Sequence, residues 1–138
     1  MPVQLCPNCF AEIPAGAEIC PACGERLAAL SARGYTEKLI HALGHPLADV
    51  RMRAIIALGL RGEAETAEPL LACALRHPAD VVAGLEIVRS LARVADGEAG
   101  RNALAFLKSL HPARAVRSAA AEALAQQGMT KERKPERP

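Results

Sequence analysis

Aromatic side chains are nearly missing from this 138-residue chain, which has no Trp, one Tyr (Tyr35) and two Phe (Phe10 and Phe106). A surface that stacks on nucleic-acid bases needs such rings, so their scarcity argues against one. A β-sandwich or barrel would draw on aromatic and β-branched residues, which argues against an all-β body. No apolar run approaches the roughly 18 residues of a membrane helix. The opening Met1-Pro-Val-Gln-Leu5 lacks the basic and apolar regions of a signal peptide. These absences lead us to expect a cytoplasmic protein without membrane contact, in which the five cysteines stay reduced. Strong charge of one sign is also lacking. The formal net charge is +2, and it arises in the last nine residues, where Lys131, Arg133, Lys134 and Arg137 outnumber Glu132 and Glu136. The neutral remainder offers no electrostatic attraction to a polyanion.

What the chain has is alanine and leucine. The 51% apolar content rests on 29 Ala and 17 Leu, the two best helix formers. Helix is therefore expected for most of the body.

Four cysteines fall in two like frames, Cys6-Pro-Asn-Cys9 and Cys20-Pro-Ala-Cys23-Gly24. A C-x2-C turn can aim two sulfurs at one point, and two such turns close a tetrahedral four-sulfur site. Pro in each turn fixes φ, and Gly24 relieves the crowded exit of the second. The ten residues between the frames, Phe10 to Ile19, suit a short hairpin turning at Pro14-Ala-Gly16. A redox C-x2-C would follow a strand and open a helix in a βαβ unit, and no such unit is evident. The segment "CPNCFAEIPAGAEICPACGERL", residues 6 to 27, resembles the short zinc-ribbon modules at the start of many bacterial proteins. It departs from them at Phe10, where Gly is usual. The resemblance implies one structural zinc per chain, held by Cys6, Cys9, Cys20 and Cys23. Four thiolates leave no open position for a catalytic water. Arg26 is the one base in residues 1 to 27, against Glu12, Glu18 and Glu25, so the module should repel phosphate.

The body carries an internal period. His-Pro recurs at His45-Pro46, His77-Pro78 and His111-Pro112, at intervals of 32 and 34 residues. Helical periodicity marks residues 47–60, 66–76, 80–95, 98–110 and 113–127, with a shorter helix from Thr36 to Leu43 and another from Glu25 to Ala32. Thr36 and Thr66 read as N-caps. Two helices per unit, with a turn between them, exclude leucine-rich repeats and propeller blades. The segment "HPLADVRMRAIIALGLRGEAETAEPLLACALRHP" resembles short bacterial HEAT-like repeats of the kind found in bilin lyases, through Asp49, Val50, Arg51, Ala54 and Leu58. The last unit repeats the pattern as Ala115, Val116, Arg117, Ala120 and Leu124. The middle unit departs, with Val82 and Ala83 where Val-Arg is expected. The likeness spans roughly residues 36 to 127 and implies an all-α body, a short α-solenoid of stacked helix pairs. The expected organisation is a ribbon at 1–27, helical repeats at 28–128 and a charged tail at 129–138. The ribbon is expected to pack on or near the first helices.

Nothing in the body suggests catalysis. His45, His77 and His111 lie one per unit, roughly 10 Å apart across packed helices, and read as turn residues. Cys73 sits in an apolar run as a small core residue. No nucleophile elbow, phosphate loop or dinucleotide fingerprint occurs. The recurrent arginines, Arg51 and Arg117 among them, read mainly as solvated faces or ion pairs within a repeat. The expected function is a non-catalytic protein-protein adaptor, such as a subunit of a larger complex, and not an enzyme. By analogy with HEAT arrays, the second helix of each pair would line the binding face, with Arg76, Arg101 and Lys108 as contacts. The poorly capped, Ala-rich last helix is a place for a homo-oligomer contact. Two alternatives are a nucleic-acid-associated protein using the arginine faces and basic tail, and a chromophore lyase.

Overall fold

The computed structural model describes residues 2–6, 8–28, 34–94 and 97–132, the side chains of Leu5 and of residues 128–132 excepted. Helix accounts for 66% of it, in six α-helices and beside one small two-stranded sheet. Strands β1 (Val3–Leu5) and β2 (Glu12–Pro14) pair antiparallel, Gln4 opposite Ile13. The helices are α1 (Tyr35–Ala42), α2 (Ala48–Arg61), α3 (Ala67–Arg76), α4 (Val81–Arg93), α5 (Glu98–Leu110) and α6 (Arg114–Glu132). A single 3-10 turn, Ala64–Thr66, leads into α3. No helix among the described residues is long and apolar enough to cross a membrane.

Local chemistry explains most boundaries. α2 has Asp49 in its first turn and Arg61 in its last, each complementing the helix dipole. It stops at Gly62, whose φ of 64° suits a left-handed C-cap and whose N–H reaches the Leu58 carbonyl. Asp80 caps α4 by accepting from the Ala83 amide at 3.1 Å. α5 ends at His111, which takes up the extended backbone expected before Pro112. Neither expected threonine makes a capping hydrogen bond, although Thr66 does stand at the N-cap position of α3. Gly34 precedes α1, and the Thr36 hydroxyl instead donates to Glu63 Oε1 at 2.8 Å. Thr66 donates to the Glu63 carbonyl within the 3-10 turn, so its hydroxyl is spent before α3 begins. The expected helix at Glu25–Ala32 does not begin at Glu25: Glu25 and Arg26 are not helical, Arg26 bridging to Ile19, residues 27–28 are helical, and residues 29–33 lie outside the described set. α6 runs on to Glu132, past the end at 127 that periodicity suggests, and residues 133–138 lie outside the described set.

The helices pack in a regular order. α2 lies along α4, and α4 along α6; on the other side α3 lies on α5. α4 and α6 run in the same direction: Gly84 faces Val116 near their starts, and Gln127 reaches the Ala92 carbonyl further along. Two glycines set the closeness of this layer. A Cβ on Gly84 would come 2.7 Å from Val116 Cγ2, and one on Gly59 would collide with the Ser90 side chain. Ser90 is fully buried, and its hydroxyl donates across the interface to the Ile55 carbonyl at 3.0 Å. Around these contacts Leu43, Ile55, Leu58, Leu70, Ile87, Leu91, Leu104, Leu107 and Val116 form one continuous core. A second, much smaller core of Cys6, Ile13 and Cys20 belongs to the N-terminal module.

Candidate metal centre

The N-terminal module is built from two copies of one backbone motif. In the first, the Cys6 amide donates to the Ala11 carbonyl at 2.9 Å and the Phe10 amide to the Cys6 carbonyl at 2.8 Å. In the second, the Cys20 amide donates to Glu25 at 3.0 Å and the Gly24 amide to Cys20 at 2.8 Å. The offsets along the chain are identical. Each motif is flanked by an antiparallel pairing, β1 with β2 around the first and an Ile19–Arg26 bridge around the second. The expected hairpin between the motifs is thus replaced by two around them. The turn at Ala15-Gly16 remains, with Gly16 at φ 86°, but it connects the two motifs. The sequence reading missed Val3–Leu5 as a strand because three residues are too few to show alternation.

This doubling brings all four sulfurs of Cys6, Cys9, Cys20 and Cys23 within 4.8 Å of one another. Cys6 and Cys23 sulfurs are 3.8 Å apart, and those of Cys9 and Cys20 3.6 Å. A tetrahedral metal with bonds of about 2.3 Å to sulfur requires sulfurs about 3.8 Å apart. The spacing therefore fits a four-thiolate metal site, and the cysteines are free rather than disulfide-bonded. Cys6 and Cys20 are buried, Cys23 is half-buried and Cys9 is exposed on the outer side.

The surroundings prepare thiolates unevenly. Burial opposes ionisation of Cys6, yet the amides of Cys9 and Asn8 and the adjoining sulfurs outweigh it and lower its pKa to about 6. The Asn8 amide lies 3.4 Å from that sulfur. Cys23 is also lowered, first by the Asn8 side chain and then by the Glu25 backbone. At Cys9 the Ala11 amide favours the thiolate, but desolvation and the three other sulfurs prevail and raise its pKa to about 11. Four thiolates do not coexist here without a cation between them. Such a set can hold a metal ion.

Phe10 stands where the second motif has glycine, and it adopts glycine's geometry. Its φ is 65°, beside 80° for Gly24. A side chain in this left-handed region costs roughly 1–2 kcal/mol. The ring lies against α1 and the turn after it, its centroid 5.1 Å from that of His41 and 4.4 Å from that of His45. Nε2 of His41 donates to the Asn8 carbonyl at 2.8 Å, which fixes its tautomer. The module therefore packs on the first helix.

The other singled-out residues are dispersed. Arg76 is exposed at the end of α3 and Lys108 is exposed on α5, whereas Arg101 is half-buried on α5. Cys73 is buried, its thiol directed at the Leu43 carbonyl 3.7 Å away, and burial pushes its pKa up. Arg51 corrects the solvated-face expectation: it is buried and donates to the carbonyls of His45 at 2.8 Å and Pro46 at 3.0 Å. Arg117 does the same to His111 and Pro112, at 2.7 and 2.8 Å. In both turns the histidine Nδ1 accepts an amide at 3.0 Å, from Leu47 and from Ala113. The recurrence of His-Pro with Arg six residues on was the available signal for this staple.

The chain matches no family model, no curated protein and no solved structure.

Proposed function

We propose that the chain is a non-catalytic protein-binding adaptor, with a structural zinc folding its N-terminal module and a short stack of helix pairs presenting the contact surface. Zinc is the ion that four thiolates in a closed tetrahedron favour, and such a site contributes folding energy rather than chemistry. The stacked reading draws support from α2, α4 and α6 lying side by side while α3 and α5 pair on the other side. In that arrangement the three His-Pro turns fall along one edge, and α3 and α5 form the second layer.

The observation that carries the binding reading is on this second layer. Leu75 of α3 and Phe106 and Leu110 of α5 are exposed, Leu110 by 62%. Arg76 and Lys108 lie beside them in sequence and are exposed too. Exposed apolar side chains on neighbouring helices, with cationic residues close by in sequence, suit a protein interface. Affinity capture from the native cell extract tests this. The wild-type chain should recover a protein partner, and Leu75→Glu with Phe106→Glu should lose it. No partner for the wild type, or undiminished recovery by the double variant, would refute the reading. For the metal, native mass spectrometry should show one zinc per chain. Absence of zinc, with four alkylatable thiols in the folded protein, would sink that part.

A further inference from the structure

Phe10 presents a contradiction that the metal site alone does not resolve. The position follows ligand Cys9 and makes the same hydrogen bond as Gly24, so the site needs only a left-handed residue there. Glycine meets that need without strain. The phenyl ring contributes nothing to the four sulfurs. It is spent on His41 in α1 and on His45 in the turn before α2. The neighbouring contact, Asn8 carbonyl to His41, also leaves from inside the first C-x2-C turn. Both contacts therefore come from residues whose backbone positions are set by Cys6 and Cys9.

The receiving helix is the one that most needs them. α1 has eight residues, none of them fully buried, and its Leu39 and Ile40 are only partly covered by the main core. A helix this short is not stable without tertiary contacts. His45, under the ring, is part of the staple that Arg51 closes onto α2.

We propose that Phe10 is a coupling residue: through its stack on His41 and His45, occupancy of the four-cysteine site holds α1 and the first His-Pro turn against the helical body. The inference rests on the metal reading above. With the site filled, the first turn keeps the shape that presents the ring and the Asn8 carbonyl. With the site emptied, the turn loosens, both contacts go, and α1 frays while α4, α5 and α6 stay packed. The metal then governs the first helix as well as the ribbon.

Amide hydrogen exchange on the full chain reads this directly, comparing the metal-loaded and chelated forms. In the wild type, metal removal should speed exchange in residues 39–43 by about tenfold or more and leave the α4 and α6 amides unchanged. Phe10→Gly keeps the left-handed backbone, so it should still bind one metal. Its loaded form should show the fast α1 exchange of the chelated wild type, and chelation should add little. His41→Leu changes no residue of the ribbon but removes the donor to the Asn8 carbonyl and one of the two rings under Phe10, so its loaded form should shift α1 exchange in the same direction while still binding one metal. Wild-type α1 rates that ignore metal removal would overturn the coupling while leaving the metal site standing. Loaded Phe10→Gly with full α1 protection would overturn it as well. A wild-type chain that binds no metal would remove the metal reading and this link together.

Discussion

Arg51 lies on α2 and Arg117 on α6, and each guanidinium turns back to hold the two carbonyls of the His-Pro turn five and six residues earlier. Those carbonyls lie ahead of the residues whose carbonyls take the first helical bonds, Leu47 and Ala113, so no helix amide reaches them. A charged donor to a buried carbonyl is a strong hydrogen bond. Arg51→Met, which keeps the stem and loses the donors, is expected to cost about 2 kcal/mol. Arg117→Met should cost less, because Arg117 is only half-buried. Urea midpoints at constant slope would measure both; a shift below roughly 0.5 kcal/mol for Arg51 would contradict the role. After His77-Pro78 the corresponding place is Ala83, whose amide is instead taken by the Asp80 cap. Gly59 makes a second prediction at this scale. Gly59→Ala drives a methyl into Ser90 and is expected to destabilise by about 1–3 kcal/mol. Combining it with Ser90→Gly should recover part of that, which thermal melts of the two single variants and the pair would show.

At the level of elements, the two cysteine motifs are equivalent in backbone and unequal in acidity. With Cys6 lowered to about 6 and Cys9 raised to about 11, the metal-free module at neutral pH has lost the Cys6 proton and kept the Cys9 proton. Metal binding must expel what remains, so affinity falls as pH falls. Between about pH 6 and 11 it should drop at least tenfold per unit, and below about pH 6 the Cys6 proton adds a further tenfold per unit. Cobalt(II) titrations against a competing chelator across this range would measure the slope; a flat profile would contradict thiolate ligation. Alkylation separates the fifth cysteine from the other four. Chelation should open Cys6, Cys9, Cys20 and Cys23 to reagent in the folded protein, with Cys73 reacting only on denaturation, because its thiol is buried in the main core. Mass shifts would count the modified thiols, and early modification of Cys73 would argue against that burial.

For the molecule as a whole, the legible parts were those with long periods or repeated chemistry. The double C-x2-C frame announced the cluster, and the amphipathic runs announced five of the helices to within a few residues. Short-range details were not legible. Three-residue strands carry no alternation to detect. The place of Thr66 at the start of α3 was legible, but neither threonine hydroxyl caps, because Glu63, remote from Thr36 in sequence, claims one by its side chain and the other by its backbone. Arg51 was placed in solvent because a helical wheel has no knowledge of the unsatisfied turn behind it. Phe10 was recognisable as a departure, but its partners His41 and His45 lie more than thirty residues away. The matching backbones of the two cysteine turns give the module a local twofold symmetry, with each half supplying two sulfurs. A peptide ending at Pro14 contains one half-site. Two such peptides are expected to gather around one ion, far more weakly than the intact chain. The short Ala15–Ile19 connection is what turns that three-body encounter into a two-body one, by holding the halves at millimolar-scale effective concentration.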